Sequence, residues 1–198
     1  MIKPSDITVV VCAIPPRAHL LARAITSILN QTVVPGAINV RYDHDHIGHA
    51  ANRNRALEDV RTDWVAFLDD DDEWDPNHLE SLIGAQHGSG ADLVYPWHRI
   101  KNRNGEEIRD LLIHPEGGFN EAALRQHNYI PVTVLARTFD LYRARFPESV
   151  PGGPFWKCED WGCWLRMLDN GAKFYHHPEV TWTWWHHGEN TSGQGDKW

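Results

Sequence analysis

The chain has 198 residues, 41% hydrophobic and 23% charged, which suits a single globular domain spanning 1–198 with a sizeable core. Its net charge of −8 argues against broad contact with nucleic-acid backbone or anionic lipid, and no stretch approaches the ~18 apolar residues of a membrane span. Cys12, Cys158 and Cys163 have no zinc-like spacing, and the N-terminus lacks a signal-peptide layout, so free thiols and a cytoplasmic location are expected.

Residues 8–13 (Thr-Val-Val-Val-Cys-Ala) read as a first buried strand, broken by Pro15-Pro16. Apolar residues at helical spacing follow over 19–29, ending near Asn30-Gln31. A second strand is expected over 37–42, running into the polar segment 43–48, and a second helix from about Ala50 to Val60. The run 64–68 reads as a third strand. Beyond it a helix is expected after Pro76, with Asp75 as its N-cap and Pro76 at its first position. Residues 92–97 look like the next strand. This strand–helix alternation predicts an α/β fold on one mostly parallel sheet flanked by helices. The second half is less regular. It offers a turn at 102–106 between two antiparallel strands, a short helix over 120–128, a strand over 129–135, a Gly/Pro-rich loop over 148–154, and a helix over 160–170 closed by Gly171.

The most informative segment is the strand end, where Phe67-Leu68 meets Asp69-Asp70-Asp71-Asp72-Glu73-Trp74-Asp75. Ligands of open α/β sheets bind beyond the carboxyl ends of such strands, and crowded carboxylates are relieved by a bound cation. Oxygen-only ligands suit Mg²⁺, Mn²⁺ or Ca²⁺. The bland alternative is a solvated acidic loop or helix N-terminus. An EF-hand is rejected: Asp69, Asp71, Glu73, Asp75, Asn77 and Glu80 fall at ligand positions, but Trp74 stands where the tight turn needs glycine, and a strand precedes the loop. Ten tryptophans are present, six of them between Trp156 and Trp185. Most are expected in the core, with two or three left to line a ligand.

Taken together, these landmarks resemble the family 2 glycosyltransferases of GT-A fold. The first strand and the helix ending Leu29-Asn30-Gln31-Thr32 resemble that family's first β–α unit, and Asn52-Arg53-Asn54 its Ala-Arg-Asn segment. Phe67-Leu68-Asp69-Asp70-Asp71-Asp72 resembles its Asp-x-Asp region. Cys158-Glu159-Asp160-Trp161 resembles its Glu-Asp helix, and His187-Gly188-Glu189-Asn190-Thr191-Ser192 its His-x-x-Asn-x-Ser stretch. The resemblance covers roughly residues 7–193.

The resemblance implies a metal-dependent, inverting transfer of a sugar from a nucleotide-diphosphate donor, with Mn²⁺ or Mg²⁺ as cofactor and a UDP-sugar favoured. The acceptor would be a glycan, a protein or a small molecule. Residues 1–100 would bind donor and metal, and 101–198 the acceptor, with a small antiparallel part there. Asp71 would be the principal metal ligand, with Asp72 and His187 as further ligands; His186 is an alternative to His187. Asp69 would contact ribose or metal. Asp70 belongs to the same nucleotide-side motif, although alternation along extended chain turns its side chain elsewhere. Asp43 and Asp45 would hold base and ribose, and Arg53 a base or phosphate. Asp160 would be the catalytic base and Glu159 its support, against the alternative that both only cap a helix. His44, His46 and His49 read as loop residues.

Two departures bear on the nucleotide pocket. Cys12-Ala13-Ile14-Pro15-Pro16-Arg17 replaces the usual Pro-Thr-Tyr-Asn, and the Asp-Gly-Ser-Thr-Asp stretch is missing. Two rival functions remain at this point. A sugar-phosphate nucleotidyltransferase would carry a glycine-rich phosphate loop after the first strand, which Pro15-Pro16-Arg17 does not provide. A non-catalytic carbohydrate-binding protein would use the Trp-rich second half.

Overall fold

The computed structural model describes residues 1–108, 115, 117–149, 155, 158–188 and 190. Among the described residues, eight strands form one mixed sheet: β1 (Ile7–Ala13), β2 (Ala37–Tyr42), β3 (Trp64–Asp69), β4 (Glu73–Trp74), β5 (Leu93–Asn102), β6 (Glu107–Ile108), β7 (Leu135–Arg137) and β8 (Phe174–His186). Their order is β2-β1-β3-β7-β5-β8-β4, with β6 paired to β5. The β1/β2, β1/β3 and β5/β8 pairs are parallel, while β7 lies antiparallel to both β3 and β5.

The helices are α1 (Ala18–Leu29), α2 (His49–Glu58), α3 (His78–Ser89), α4 (Glu121–Leu124), α5 (Thr138–Ala144) and α6 (Glu159–Asp169). Side chains alternate across the strands and so build two cores. Val10, Cys12, Val65 and Phe67 pack with Leu57 of α2, Leu141 of α5, and Trp164 and Met167 of α6. Val9, Val11, Ala66 and Leu68 pack on the other face with Ala24 and Ile28 of α1 and Leu79 and Leu82 of α3. Both faces of β1 and β3 are therefore covered, which explains their continuous apolar runs.

Several expectations are corrected. The α3 helix starts at His78 with Asn77 as N-cap, because Asp75 and Pro76 complete the step out of β4; the Asp75 carbonyl accepts the His78 amide at 3.0 Å. Of the strand expected over 129–135, only its last residue belongs to β7. Tyr129, Ile130, Val132 and Val134 are buried as a core-crossing segment instead. The antiparallel β7 inserts between β3 and β5, so the strands of the first half are not contiguous. The long β8, the short β4 and the helix α5 were not anticipated. The α6 helix closes as expected: Asn170 is its C-cap and Gly171 takes φ +88°, with the Gly171 and Ala172 amides returning to Leu168 and Met167. Most of the loop expected over 148–154 lies outside the described residues.

Candidate active site

The turn after β3 sets four carboxylates in distinct surroundings. Asp70 is fully buried: its Oδ2 accepts the Ile14 amide at 2.9 Å and its Oδ1 lies 2.8 Å from Arg17 Nη2. Asp71 Oδ2 meets the other terminal nitrogen of the same guanidinium, Arg17 Nη1, at 2.5 Å and lies 3.0 Å from His187 Nε2. Asp72 Oδ1 accepts the Trp185 amide at 3.0 Å, which ties the turn to the end of β8. Asp69, the most open of the four, accepts from Arg53 Nη2 at 2.8 Å. Arg23 donates to the Asp71 carbonyl at 2.6 Å and stacks 4.3 Å from the Trp185 ring centre.

Burial and like charge act strongly on this turn. Burial, with Asp71 and Asp69 adding to it, pushes the Asp72 carboxyl well above the usual range. Burial likewise raises Asp70 to about 7 even though Arg17 opposes it. Burial raises Asp71 too, but the His187 hydrogen bond and the Arg17 charge outweigh it and hold that carboxyl low. Burial and like charge thus make full ionisation of the turn costly.

The second half of the site is joined through one residue. Arg53, buried in α2, reaches Asp69 with one nitrogen and Glu159, at the start of α6, with another. Glu159 is buried, which would raise its pKa, yet Arg53 and His49 keep its carboxyl below the ordinary range. Its neighbour Asp160 is half-buried, and burial with the Glu159 charge raises it to about 7. Asp160 Oδ1 accepts from the Trp161 amide at 2.7 Å and from Asn128 Nδ2 at 3.2 Å. The pKa values of these adjacent acids in one helical turn are therefore shifted in opposite directions. Both acids lie in the first turn of α6, where the helix dipole also favours them, and no side chain caps that end.

Around the rim, Asp43 is buried and spends both carboxylate oxygens on the Ile47 and Gly48 amides at 2.9 Å. Gly48 sits at φ +87°, a backbone that glycine adopts without strain, and this turn launches α2 and with it Arg53. Asp45 is exposed on the same loop. His187 is placed by Asn190, whose Oδ1 accepts the His187 amide at 3.0 Å and whose Nδ2 donates to the Trp185 carbonyl at 2.8 Å. His186 is exposed, whereas the His187 ring faces Asp71. Glu189, Thr191 and Ser192 of the same motif, and Trp156, lie outside the described residues. Sequence reasoning missed Arg17, Arg23 and Asn128 as members of the site. A lone basic residue directly after Pro15-Pro16 was the available signal for Arg17.

The donor set fits a hard divalent cation. Asp69, Asp71 and Asp72 each offer an oxygen within 4.8 Å of the others, a spacing that ligands at 2.0–2.6 Å from one ion can satisfy. Among the described residues no tryptophan is fully exposed. Trp64, Trp74, Trp164 and Trp182 are buried, and Trp97, Trp161, Trp184 and Trp185 are partly so.

A family model described as "Glycosyl transferase family 2" matches residues 34–146, more than half of the chain. The chain belongs to this family. Among curated relatives, it is 25% identical over 138 residues to a Bacillus subtilis (strain 168) protein described as "Putative teichuronic acid biosynthesis glycosyltransferase TuaG", covering 70% of this chain and 52% of that one. It is 24% identical over 134 residues to the uncharacterized glycosyltransferase MJ1057 of Methanocaldococcus jannaschii, covering 65% and 44%. The chain thus spans about half the length of these relatives. S. aureus TarS (residues 1–349) in complex with UDP-GlcNAc superposes with a TM-score of 0.73 at 15% identity, over 98% of this chain and 62% of that one. The fold is thus the GT-A α/β fold of such glycosyltransferases. The family match runs through α2, the acidic turn and β7, but stops before Glu159, Asp160 and His187.

Proposed function

We propose that this family 2 chain transfers a sugar, with inversion, from a nucleoside-diphosphate donor to an acceptor hydroxyl, using a divalent cation and Asp160 as the base. The observation that carries the reading is Arg53: one buried guanidinium joins Asp69 on the donor side to Glu159 beside the base. Donor binding and acceptor activation then share a rigid link. The UDP and UDP-GlcNAc complexes of TarS support a uridine diphosphate sugar as donor.

Each residue receives a task from its surroundings. Asp69, Asp71 and Asp72 would hold Mn²⁺ or Mg²⁺, which supplies Lewis-acid neutralisation of the diphosphate. The His187 ring orients Asp71, and the Trp185 amide orients Asp72. Asp160 takes the proton of the attacking hydroxyl; a carboxyl raised to about 7 is matched to that work near neutral pH. Glu159 stays ionised against Arg53 and sustains the raised pKa of Asp160 by its charge. Asp43 and Asp70, whose oxygens are engaged within the protein, shape the pocket walls, while Asp45 and Asp69 remain open to ribose. The acceptor is a glycan, a protein or a small molecule bound by the second half. Three free cysteines fit work in the cytoplasm. Among the described residues, no helix is long and apolar enough to cross a membrane.

The test is UDP release from a panel of UDP-sugars with Mn²⁺ and candidate acceptors. Wild-type protein is expected to turn over one donor, and Asp160→Asn to bind that donor normally while losing ~10²-fold or more in rate. Near-normal turnover by Asp160→Asn would remove Asp160 from the role of base.

A further inference from the structure

The segment after β1 supplies a cation to the acidic turn. After β1, Ile14 leads into the 3-10 turn Pro15–Arg17, and Arg17 is 95% buried. Its two terminal nitrogens divide between Asp70 Oδ1 (2.8 Å) and Asp71 Oδ2 (2.5 Å), and both carboxylates are themselves buried. Asp70 is further fixed by the Ile14 amide, three residues before Arg17, so the turn and the carboxylate hold each other. Asp71 also belongs to the group of three carboxylates that would hold a metal. The oxygen that Arg17 occupies is the one His187 also contacts.

We propose that Arg17 is a resident counter-ion of the acidic turn, competing with the divalent cation for Asp71 and so setting the metal affinity of the donor-free site. The inference rests on the reading of Asp71 as a metal ligand. The guanidinium and a cation cannot both bind the same Asp71 oxygen at full strength, because two positive charges a few ångströms apart in a buried site repel strongly. Metal entry then requires Arg17 to release Asp71 while it keeps Asp70. The buried Asp70 holds the side chain at the site after that exchange. A diphosphate arriving with the metal brings negative charge to the freed guanidinium. Metal and nucleotide should therefore bind cooperatively, each strengthening the other by the same factor.

The decisive experiment measures Mn²⁺ alone by calorimetry, with no nucleotide, on wild type, Arg17→Gln, Arg17→Lys and Asp71→Asn. Arg17→Gln is expected to bind Mn²⁺ about tenfold tighter than wild type, the order that follows from removing one unit charge beside the ion. Arg17→Lys, which keeps the charge, is expected to stay near wild type. Added UDP should then tighten Mn²⁺ binding less in Arg17→Gln than in wild type. Because Arg17→Gln leaves Asp70 buried without its partner, the same substitution is also read in an Asp70→Asn background, which removes both members of that pair. Unchanged or weaker Mn²⁺ binding in both Arg17→Gln backgrounds, with binding lost in Asp71→Asn, overturns the role of Arg17 alone. Wild-type Mn²⁺ binding in Asp71→Asn overturns the metal reading of the turn, and the Arg17 proposal with it.

Discussion

At the scale of residues, the pair Glu159–Asp160 shows how one helical turn makes two different acids. Arg53 holds Glu159 ionised, while burial and the Glu159 charge lift Asp160 to about 7. If Asp160 must be deprotonated to accept a proton, the rate at saturating donor should climb with pH up to about 7 and level off above it. Below that point it should fall about tenfold per pH unit. Asn128 donates to Asp160 and stabilises its charged form. Asn128→Ala should therefore move this acidic limb to higher pH while leaving UDP affinity unchanged, which a pH–rate profile and a binding titration check together. The acidic turn was legible in the sequence because four carboxylates ending an apolar run have few structural uses. Asn128 was not, since its partner lies 32 residues away; Arg17 lies 54 residues from Asp71. Such pairings are decided by the sheet order, which no local pattern records.

Among the elements, α6 carries the candidate base and its seating is tight. A Cβ on Gly162 would meet Pro147 Cγ at 2.5 Å and Phe155 Cγ at 2.9 Å. Gly162→Ala should thus cost about 1–3 kcal/mol of stability by forcing α6 away from that loop. Chemical denaturation measures that cost, and turnover should fall with UDP binding retained. The helices α1, α2, α3 and α6 were readable because each has an apolar face at helical spacing or recognisable end signals. The strand β8 was hidden. Its 13 residues include Pro178 and a solvent-facing middle, and its pairing with β5 shifts register between Pro96 and His98, so no clean alternation survives. The opposite error occurred over 129–134, where buried apolar residues look like strand but serve as core filling, with only β7 in the ladder. Yet β8 brings Trp185 and His187 to the acidic turn, so the missed strand completes the site.

For the whole molecule, the sheet gathers its chemistry at the carboxyl ends of β1, β2 and β3, where Arg17, Asp43 and the acidic turn follow their strands. That location was predictable from the α/β alternation alone. If the turn holds Mn²⁺ as proposed and the unfolded chain does not, Mn²⁺ at ~100 times its Kd should add about 2.7 kcal/mol of stability. Burial raises the carboxyl of Asp72, so protons compete with a cation for it at low pH. The Mn²⁺-dependent rise in Tm should accordingly be larger at pH 8 than at pH 6, and a thermal melt at each pH reads it directly.

The central claim is that the turn at Asp71 binds a nucleoside diphosphate through a divalent cation, and titration calorimetry of UDP with and without Mn²⁺ tests it most directly. Wild-type protein should bind UDP with Mn²⁺ and weakly or not at all without it, and Asp71→Ala should lose the Mn²⁺-dependent part. UDP binding of equal strength in Asp71→Ala, or binding indifferent to Mn²⁺, would contradict the account.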